Sequence, residues 1–286
     1  MKLLFLGDSM FGRDNHKFTE NPYVDVVPFL ENAEHIIFNL ETVLSEPPLS
    51  REFKVNKTFN YQSSAKPLRT LKEITKKHHT EIYASIANNH SLDFGEKGHE
   101  KTKRILKKLD IKCNSKQKVE TKEVIFMNST DHCGCDNPSR WAQQISFIDY
   151  KDKKQIQNIL QKVKRLRTKN KKKCIVYSIH WGPNWVPDKL SDEIIQFGRD
   201  LIDSGVDIVF GHSAHHIVRE PTEEYNGGII IYGLGDFIND YSVDPRYQSD
   251  KALMCSVSLK KNSLTYELIP VKRIFVEEGG SIPFLM

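Results

Sequence analysis

Six side chains with metal-binding chemistry stand directly after short apolar runs of the sequence. They offer carboxylate, amide and imidazole donors, and they are Asp8, Glu41, Asn89, His180, His212 and His215. This mixture of oxygen and nitrogen donors suits manganese, iron or zinc better than a thiolate site would. Each residue alone is a weak signal, because a lone aspartate often caps a helix. Their shared position predicts one or two divalent metal ions where the six residues meet.

Two of the imidazoles form the pattern H-x-x-H after the apolar run IVFG. They are His212 and His215, and His216 follows at once, so the second ligand is either His215 or His216. Gly211 is expected to let the backbone leave the strand sharply.

His180 follows the apolar run CIVYSI and precedes Trp181. It is either a ligand at a strand end or a buried histidine packed on the tryptophan. The segment from His132 to Cys135 also contains metal-binding residue types. A C-x-C pattern without a second pair is a poor zinc signature, so we interpret this segment as a loop.

The candidate donors need a framework, and six apolar runs that break off into polar residues or glycine provide it. They predict strands at KLLFLGDS, HIIFNLET, EIYASIANNH, KCIVYSIHWG, VDIVFGHSAHH and GIIIYGLGDF. Helical patterns lie at residues 64–78, 96–109, 152–168 and 191–204. This alternation predicts an α/β fold. Ligands in such folds collect at the carboxyl ends of strands, so the polar clusters can form one site.

The composition favours a globular protein of one domain. Of the 286 residues, 38% are hydrophobic and 28% are charged, so we expect a single domain over residues 1–286. The loops at residues 46–62 and 130–142 are predicted to be insertions over the sheet. The apolar run from Leu3 to Leu6 is too short for a secretion signal or a membrane span. Five scattered cysteines fit free thiols, so we expect a cytoplasmic protein without a membrane span.

The formal charge of +5 raises the question of a nucleic-acid partner. Much of the excess lies in the segment from Lys151 to Lys173. Apolar residues recur there at helical spacing, and they are Ile156, Ile159, Leu160, Val163 and Leu166. The pattern predicts an amphipathic helix with a solvated basic face, so no nucleic acid is expected as a partner.

Six motifs in chain order carry a resemblance to a known family. They are GDSMFGR at 7–13, NLE at 39–41, ANNHSLDFGEKG at 87–98, HWG at 180–182, GHSAHH at 211–216 and YGLGDFIND at 232–240. The series resembles that of the CapA, or poly-gamma-glutamate capsule biosynthesis, family, which in turn resembles the calcineurin-like metallophosphoesterases. The resemblance implies a four-layer fold of two central β-sheets flanked by helices, with metal at the strand ends.

The resemblance also implies roles for particular residues. Asp8 and Glu41 would be acidic ligands, Asn89 an amide ligand, and His180, His212 and His215 imidazole ligands. His90 would be the acid/base or oxyanion-stabilising residue beside the metal. Asp93 either hydrogen-bonds His90 and fixes its tautomer or caps a helix.

The chain departs from the phosphoesterase pattern at three places. Met10 stands where the D-x-H motif has its histidine, and Glu41 stands where an aspartate is usual. The third departure is the spacing G-H-x-x-H in place of G-H-x-H. These differences leave open both a two-metal site and phosphatase activity.

Three further residues are candidates for the site. Arg13 and Arg219 either clamp an anionic group or form structural ion pairs. Asp236 either orients a ligand histidine or caps a turn.

The expected function is that of a CapA-like metal-dependent hydrolase acting on a phosphoester or amide bond. Its partner would be an anionic small molecule or a glutamyl polymer. The alternative is a noncatalytic protein that binds poly-gamma-glutamate or another polyanion and keeps a structural or vestigial metal site.

Overall fold

The computed structural model of the chain describes most of the sequence. The described residues are 1–11, 21–116, 118–132, 134, 142–186, 189–240, 242–261, 263–276 and 280–286. Arg13, Cys133 and Cys135, which figure in the predictions above, lie outside these ranges.

Strands and helices alternate through most of the described chain. The strands are β1 Lys2–Ser9, β2 His35–Leu40, β3 Val43–Leu44, β4 Gln62–Ser63, β5 Glu81–Ser85, β6 Lys112–Asn114, β7 Val119–Glu120, β8 Val124–Thr130, β9 Cys174–His180, β10 Ile208–His212, β11 Thr222–Tyr225, β12 Gly228–Ile231, β13 Asp236–Ile238, β14 Lys251–Lys260, β15 Ser263–Val276 and β16 Gly280–Leu285. The helices are α1 Val27–Glu31, α2 Lys66–Thr75, α3 Gly95–Lys108, α4 Lys153–Lys169 and α5 Asp192–Asp203.

Two large sheets organise these strands. The first has the order β16-β15-β14-β1-β2-β5-β6, with β13 pairing beside β1. Its strands β1, β2, β5 and β6 are parallel, whereas β14 runs antiparallel to β1. The second sheet has the order β11-β12-β10-β9-β8-β7, and its four inner strands are parallel. Both sheets therefore present several carboxyl strand ends at one edge.

Alternating side chains of the first sheet divide between two hydrophobic cores. Leu4 and Ile36 pack on one face in a core shared with helices α1 to α3. Leu3 and Ile37 point to the other face, where they pack with Phe210 of the second sheet. Successive strand residues face opposite sides of a sheet, so these buried runs satisfy both cores at once.

The outer face of the second sheet is covered by the remaining helices. Ile175 of β9 and Val209 of β10 pack with Val163 of α4 and Leu201 of α5. The layers are thus helices, sheet, sheet and helices. This arrangement confirms the predicted α/β fold of two central sheets flanked by helices.

The predicted helices are found close to their expected positions. The basic segment forms α4, whose five predicted apolar residues pack against the core of the second sheet. Its N-cap, Asp152, accepts a hydrogen bond from the backbone N–H of Gln155, and Ser191 caps α5 in the same way through Ile194. In the part of the chain that the structure describes, no helix is both long and apolar enough to cross a membrane. Cys113, Cys174 and Cys255 are free thiols.

Candidate metal centre

The predicted donors lie at the carboxyl ends of strands from both sheets. Asp8 is near the end of β1, Glu41 follows β2, and His180 and His212 end β9 and β10. Within each sheet the register aligns the donors, since Asp8 pairs with Asn39 and His180 pairs with His212. The convergence expected from the strand-end motifs is therefore present.

Two groups of buried donors share Asp8. One group is Asp8, Glu41 and His215, and the other is Asp8, His180 and His212. In each group one donor atom from every residue lies within 4.8 Å of the others. Five of the six predicted metal ligands are thus close enough for one or two ions.

Glu41 is surrounded by imidazole nitrogens. Its Oε1 lies 3.8 Å from Nε2 of His215, 3.9 Å from Nε2 of His90 and 4.0 Å from Nε2 of His180. Metal–ligand bonds of ~2 Å place neighbouring ligand atoms ~3 to 4 Å apart. The distances from Glu41 to His180 and His215 therefore fit neighbouring metal ligands better than direct hydrogen bonds, which would be ~3 Å long.

Several of these donor atoms lack a partner although they are buried. Among the described residues, both carboxylate oxygens of Glu41, Nε2 of His180 and Oδ1 of Asn89 make no hydrogen bond. Each unpaired buried polar group costs ~1–3 kcal/mol, so natural proteins rarely keep several of them together. Nε2 of His180 and Oε1 of Glu41 lie 4.0 Å apart, and an ion between them would give both residues a partner, so the donor set fits a divalent metal.

The three consecutive residues Asn88, Asn89 and His90 have different environments. Nδ2 of Asn88 donates to Oδ1 of Asn39 at 2.9 Å and to the carbonyl of Leu40 at 2.8 Å, so Asn88 ties two strand ends together. Its Oδ1 accepts from the backbone N–H of His90 at 3.1 Å. The side-chain oxygen of Asn89 has no hydrogen-bond partner among the described residues, and Asn88 positions the turn that carries it.

Asp93 hydrogen-bonds His90, which was one of the two roles predicted for it from the sequence; the other was to cap a helix. Nδ1 of His90 lies 2.7 Å from Oδ2 of Asp93, and the residue at the N-cap of α3 is Phe94. An imidazole nitrogen facing a carboxylate carries the proton, so Nε2 of His90 presents its lone pair towards Glu41. The shorter Asp93 contact favours the tautomer with the proton on Nδ1, and Nζ of Lys57 lies 3.2 Å from the same nitrogen.

The loop at residues 46–62 supplies two residues that sequence reasoning missed. Nζ of Lys57 donates to Oδ1 of Asp93 at 2.6 Å and to the carbonyl of Asn89 at 2.9 Å. The Tyr61 ring stacks on the His90 ring with centroids 3.9 Å apart, and its N–H donates to Oδ2 of Asp93 at 2.6 Å. Predicted only as an insertion, this loop holds His90 and Asp93 in place. Neither Lys57 nor Tyr61 belongs to a recognisable motif.

Asn39 was also missed, although it stands in the NLE motif. Its Nδ2 donates to Oδ1 of Asp8 at 2.6 Å and lies 3.4 Å from Nδ1 of His180. Asn39 therefore orients a carboxylate of the first sheet and an imidazole of the second.

The segment around His132, interpreted above as a loop, lies against the same site. The rings of His132 and His180 make an edge contact with centroids 5.7 Å apart. A Cβ on Gly134 would come within 1.8 Å of the carbonyl oxygen of Asn89, so only glycine allows this approach.

The family of the chain follows from comparison with known proteins. The model of the family described as "Bacterial capsule synthesis protein PGA_cap" matches residues 2–241. The chain belongs to this capsule synthesis family. The family predicted from the six ordered motifs is thereby confirmed.

Curated relatives support the capsule family along most of the chain. PGA biosynthesis protein CapA of Bacillus subtilis (strain 168) is 27% identical over 282 residues, which cover 93% of this chain and 70% of that protein. Capsule biosynthesis protein CapA of Bacillus anthracis is 27% identical over 263 residues, covering 84% of this chain and 60% of that protein. The chain therefore spans only part of each relative.

A solved structure supports the fold of this capsule-family chain. A hypothetical protein from Thermus thermophilus superposes with a TM-score of 0.52 at 10% sequence identity, covering 94% of this chain and 99% of that one. At this identity the similarity bears on the fold alone.

Burial and neighbouring charge set the protonation of the acidic half of the site. Burial raises the pKa of Asp8 to about 6, and burial likewise holds the pKa of Glu41 well above its usual range. The positive charge of His215 opposes both shifts. Burial works against the protonation of His215, but Asp236, Glu41 and Asp8 outweigh it and raise its pKa to about 10. In the metal-free site, His215 therefore holds a proton that a metal would have to displace.

The other site histidines are neutral near pH 7. Burial lowers the pKa of His90 to about 4, although Asp93 opposes the shift, and burial lowers the pKa of His212 to about 3. Burial also holds the pKa of His180 well below its usual range. Neutral imidazoles are the form that binds metal or accepts a proton.

Asp236 contacts a candidate ligand histidine, which agrees with one of the two roles predicted for it from the sequence. Its Oδ1 lies 2.9 Å from Nδ1 of His215. The contact leaves Nε2 of His215 facing Glu41. A carboxylate behind a ligand histidine commonly orients its ring, so this geometry suits the predicted supporting role.

The choice between His215 and His216 is decided by hydrogen bonds. Nε2 of His216 accepts from the N–H of Val186 at 3.2 Å, and its Nδ1 donates to the carbonyl of Ile217 at 3.0 Å. Both ring nitrogens of His216 thus contact backbone groups, whereas Nε2 of His215 lies 3.8 Å from Oε1 of Glu41, so His215 is the better placed of the two.

The segment that carries His212 and His215 has strained backbone. Ser213 has φ of 118° and His215 has φ of 60°, values that are uncommon outside glycine. Strain of this kind often marks functional sites. Here it directs the N–H of Ser213 to Oδ2 of Asp8 at 3.0 Å and turns His215 towards Glu41.

Gly211 serves a purpose other than the predicted one. It lies within β10 rather than at a sharp exit from the strand. A Cβ at this position would come within 2.4 Å of the Trp181 ring. The glycine therefore makes room for the buried tryptophan that follows His180.

Arg219 is exposed, and it forms no ion pair with any of the described residues. It borders a pocket that also includes His216, the neighbour of His215. The structural ion pair considered from the sequence is thus absent from the part of the chain that is described.

Proposed function

We propose that this capsule-family chain is a metal-dependent hydrolase that cleaves an amide or phosphoester bond in poly-gamma-glutamate metabolism. The observation that carries the proposal is the buried Glu41 carboxylate, which has no hydrogen-bond partner among the described residues and lies 3.8–4.0 Å from three imidazole nitrogens. The names of the Bacillus relatives, a PGA biosynthesis protein and a capsule biosynthesis protein, support the metabolic context.

The metal would be held by the six donors predicted from the sequence. They are Asp8, Glu41, Asn89, His180, His212 and His215. A divalent ion bound there supplies Lewis-acid polarisation of a carbonyl or phosphoryl oxygen and makes water more acidic. The mixed oxygen and nitrogen donors suit manganese, iron or zinc.

His90 is the proposed acid/base residue. Its Nδ1 is held by Asp93, and its low pKa keeps it neutral near pH 7. Nε2 can therefore accept a proton from an attacking water and return it to the leaving group. Lys57 and Tyr61 keep the imidazole in this orientation through Asp93 and through ring stacking.

A noncatalytic role is the second candidate, because the donor atoms are nearly closed to solvent. Glu41 is 1% exposed and His90 is 5% exposed, which is typical of structural sites as well as of enzyme sites that open. In this case the metal would stabilise the strand ends, and the protein would bind a glutamyl polymer without cleaving it.

Product analysis separates the two candidates. The purified chain would be stripped with chelator, reloaded with Mn²⁺, Fe²⁺ or Zn²⁺, and incubated with gamma-linked glutamate oligomers and with a panel of phosphoesters. The hydrolase proposal predicts metal-dependent release of shorter oligomers, of free glutamate or of phosphate. Metal binding without a product from either panel would contradict the hydrolase and favour the noncatalytic role.

A further inference from the structure

A cationic pocket adjoins the candidate metal centre. It has a volume of about 260 Å³, and its lining includes His216, Arg219, Arg246, Tyr247, Gln248 and Lys251. These side chains come from loops and from the start of β14. The pocket is smaller than the cavities of ~300–1,000 Å³ that hold drug-sized ligands, so it suits one chemical group of a larger substrate.

Aromatic rings connect this pocket to the metal centre. The Trp185 ring lies 5.9 Å from the ring of the candidate ligand His215. It also stacks on His216 at 6.2 Å and contacts Tyr247 at 5.0 Å, and both of these residues line the pocket. A substrate that reaches from the metal to the pocket would therefore pass along the Trp185 ring, which is 37% exposed.

The charges of the pocket favour an anion. Arg219 has no ion-pair partner among the described residues, and Nζ of Lys251 donates to the neutral Oε1 of Gln248 at 2.6 Å. Arg246 is paired with Asp244 at 2.6 Å, so Asp244 neutralises one of the three positive charges of Arg219, Arg246 and Lys251. A guanidinium with free donors binds a carboxylate or phosphate through two parallel hydrogen bonds.

We infer that this pocket binds a free carboxylate of a glutamyl chain whose neighbouring bond lies at the metal centre. The inference rests on the proposed function, and it favours the amide substrate over the phosphoester. Guanidinium and ammonium groups bind carboxylate and phosphate alike, and the carboxylate is chosen because the relatives of the chain include a PGA biosynthesis protein. Arg219 and Lys251 then set substrate specificity without taking part in the chemistry.

The test measures binding separately from turnover. A gamma-linked glutamate trimer is titrated calorimetrically into the intact chain in the presence of chelator, so hydrolysis cannot contribute. Inorganic phosphate and the trimer with methyl-esterified carboxylates are titrated in parallel. The variants are Arg219→Gln and Lys251→Gln, and the matched control is Arg165→Gln, which removes an exposed arginine of α4.

The inference predicts that the trimer binds and the ester does not. Arg219→Gln and Lys251→Gln should each weaken trimer binding about tenfold, and Arg165→Gln should leave it within about twofold. Equal binding by all variants, or tighter binding of phosphate than of the trimer, would overturn the inference. A loss caused by Arg219→Gln alone would also overturn it, because Lys251 lines the same pocket. Turnover is measured in a separate assay with metal and without chelator. A trimer that binds in the first experiment but is not hydrolysed in the second would remove the hydrolase and leave the pocket. Hydrolysis at an unchanged rate and KM in both pocket variants would remove the pocket and leave the hydrolase.

Discussion

The strand-end cluster around Glu41 and the basic helix α4 both concentrate ionisable side chains, but in opposite environments. At the strand ends, Asp8, His180 and His212 are at most 2% exposed, and buried donor atoms face one another. On α4, Lys154, Lys162 and Lys164 are exposed, and Val163 is the buried residue among those described. The cluster adds little to the formal charge of +5, whereas the helix accounts for much of it.

The difference in burial between these two regions indicates which of them is the functional site. An exposed cation keeps its hydration and needs no partner, so a row of them on a helix costs little. A buried donor without a hydrogen bond is costly, and its retention indicates a ligand. Positive charge is therefore concentrated on α4, but the buried donors without hydrogen bonds indicate a functional site at the strand ends.

Replacing His90 should give the largest effect. His90→Ala is expected to lower turnover by ~10²–10⁴-fold while bound metal is retained, because the proton acceptor is removed and the six metal donors remain. Turnover, metal content and melting temperature would be compared with those of His78→Ala, a control at a histidine that is 44% exposed. Normal turnover would make His90 structural, and loss of metal would make it a ligand.

Replacing Lys57 should lower the free energy of unfolding, because Lys57 is the cation paired with the buried Asp93 beside His90. Lys57→Met leaves the fully buried Asp93 carboxylate without its cation, so the free energy of unfolding should fall by about 3 kcal/mol. Lys103→Met is the control, because the Lys103–Glu100 pair is exposed and should contribute less than about 1 kcal/mol. Denaturant unfolding measures both, and equal losses would contradict the distinction drawn between buried and exposed charge.

Metal affinity should increase with pH in the strand-end cluster. Metal ligands must be deprotonated, and His215, with a pKa raised to about 10, carries a proton in the metal-free protein between pH 6 and 8. Binding would release that proton and any proton held by Glu41, whose pKa burial also raises, so the association constant should rise at least about tenfold per pH unit in this window. Calorimetry in two buffers with different ionisation enthalpies counts the released proton. An affinity independent of pH would exclude His215 as a ligand.

Neutralising the basic helix should have the smallest effect. Replacing Lys154, Lys162 and Lys164 together by glutamine is expected to leave hydrolysis unchanged, because α4 contributes nothing to the strand-end site. We also expect no appreciable affinity for DNA or RNA at physiological salt. Tight, salt-sensitive binding that disappears in this variant would contradict the assignment, since each phosphate contact adds to the salt dependence.

The sequence predicted the parts of the molecule that follow from local pattern. Apolar runs ending in polar residues located β1, β2, β5, β9, β10 and β12, and parallel strands bring their carboxyl ends together. Helical spacing in the same way located α4. The strand β8 and the antiparallel strands β14 to β16 were missed, because none of the six apolar runs covers them.

The supporting residues of the site could not be predicted. Lys57 reaches Asp93 across 36 positions of the chain, and Asn39 reaches His180 across 141. Such contacts depend on how loops and sheets pack, and no local pattern encodes them. The role of Gly211 shows the same limit, since the neighbouring Trp181 ring is known only once both strands are placed.

Metal content tests the central claim most directly. The chain would be purified without chelator, saturated with Mn²⁺, Fe²⁺ or Zn²⁺, dialysed, and analysed by elemental analysis and anomalous scattering. We expect one or two ions bound between Asp8, Glu41 and the site histidines. Glu41→Gln should lower the metal affinity more than about a hundredfold, because a change of a residue that only supports a ligand already lowers it ~10–100-fold. Glu123→Gln, at an exposed glutamate, should bind as the unchanged chain does. A chain that retains no divalent ion, or a Glu41→Gln variant that binds metal normally, would contradict it.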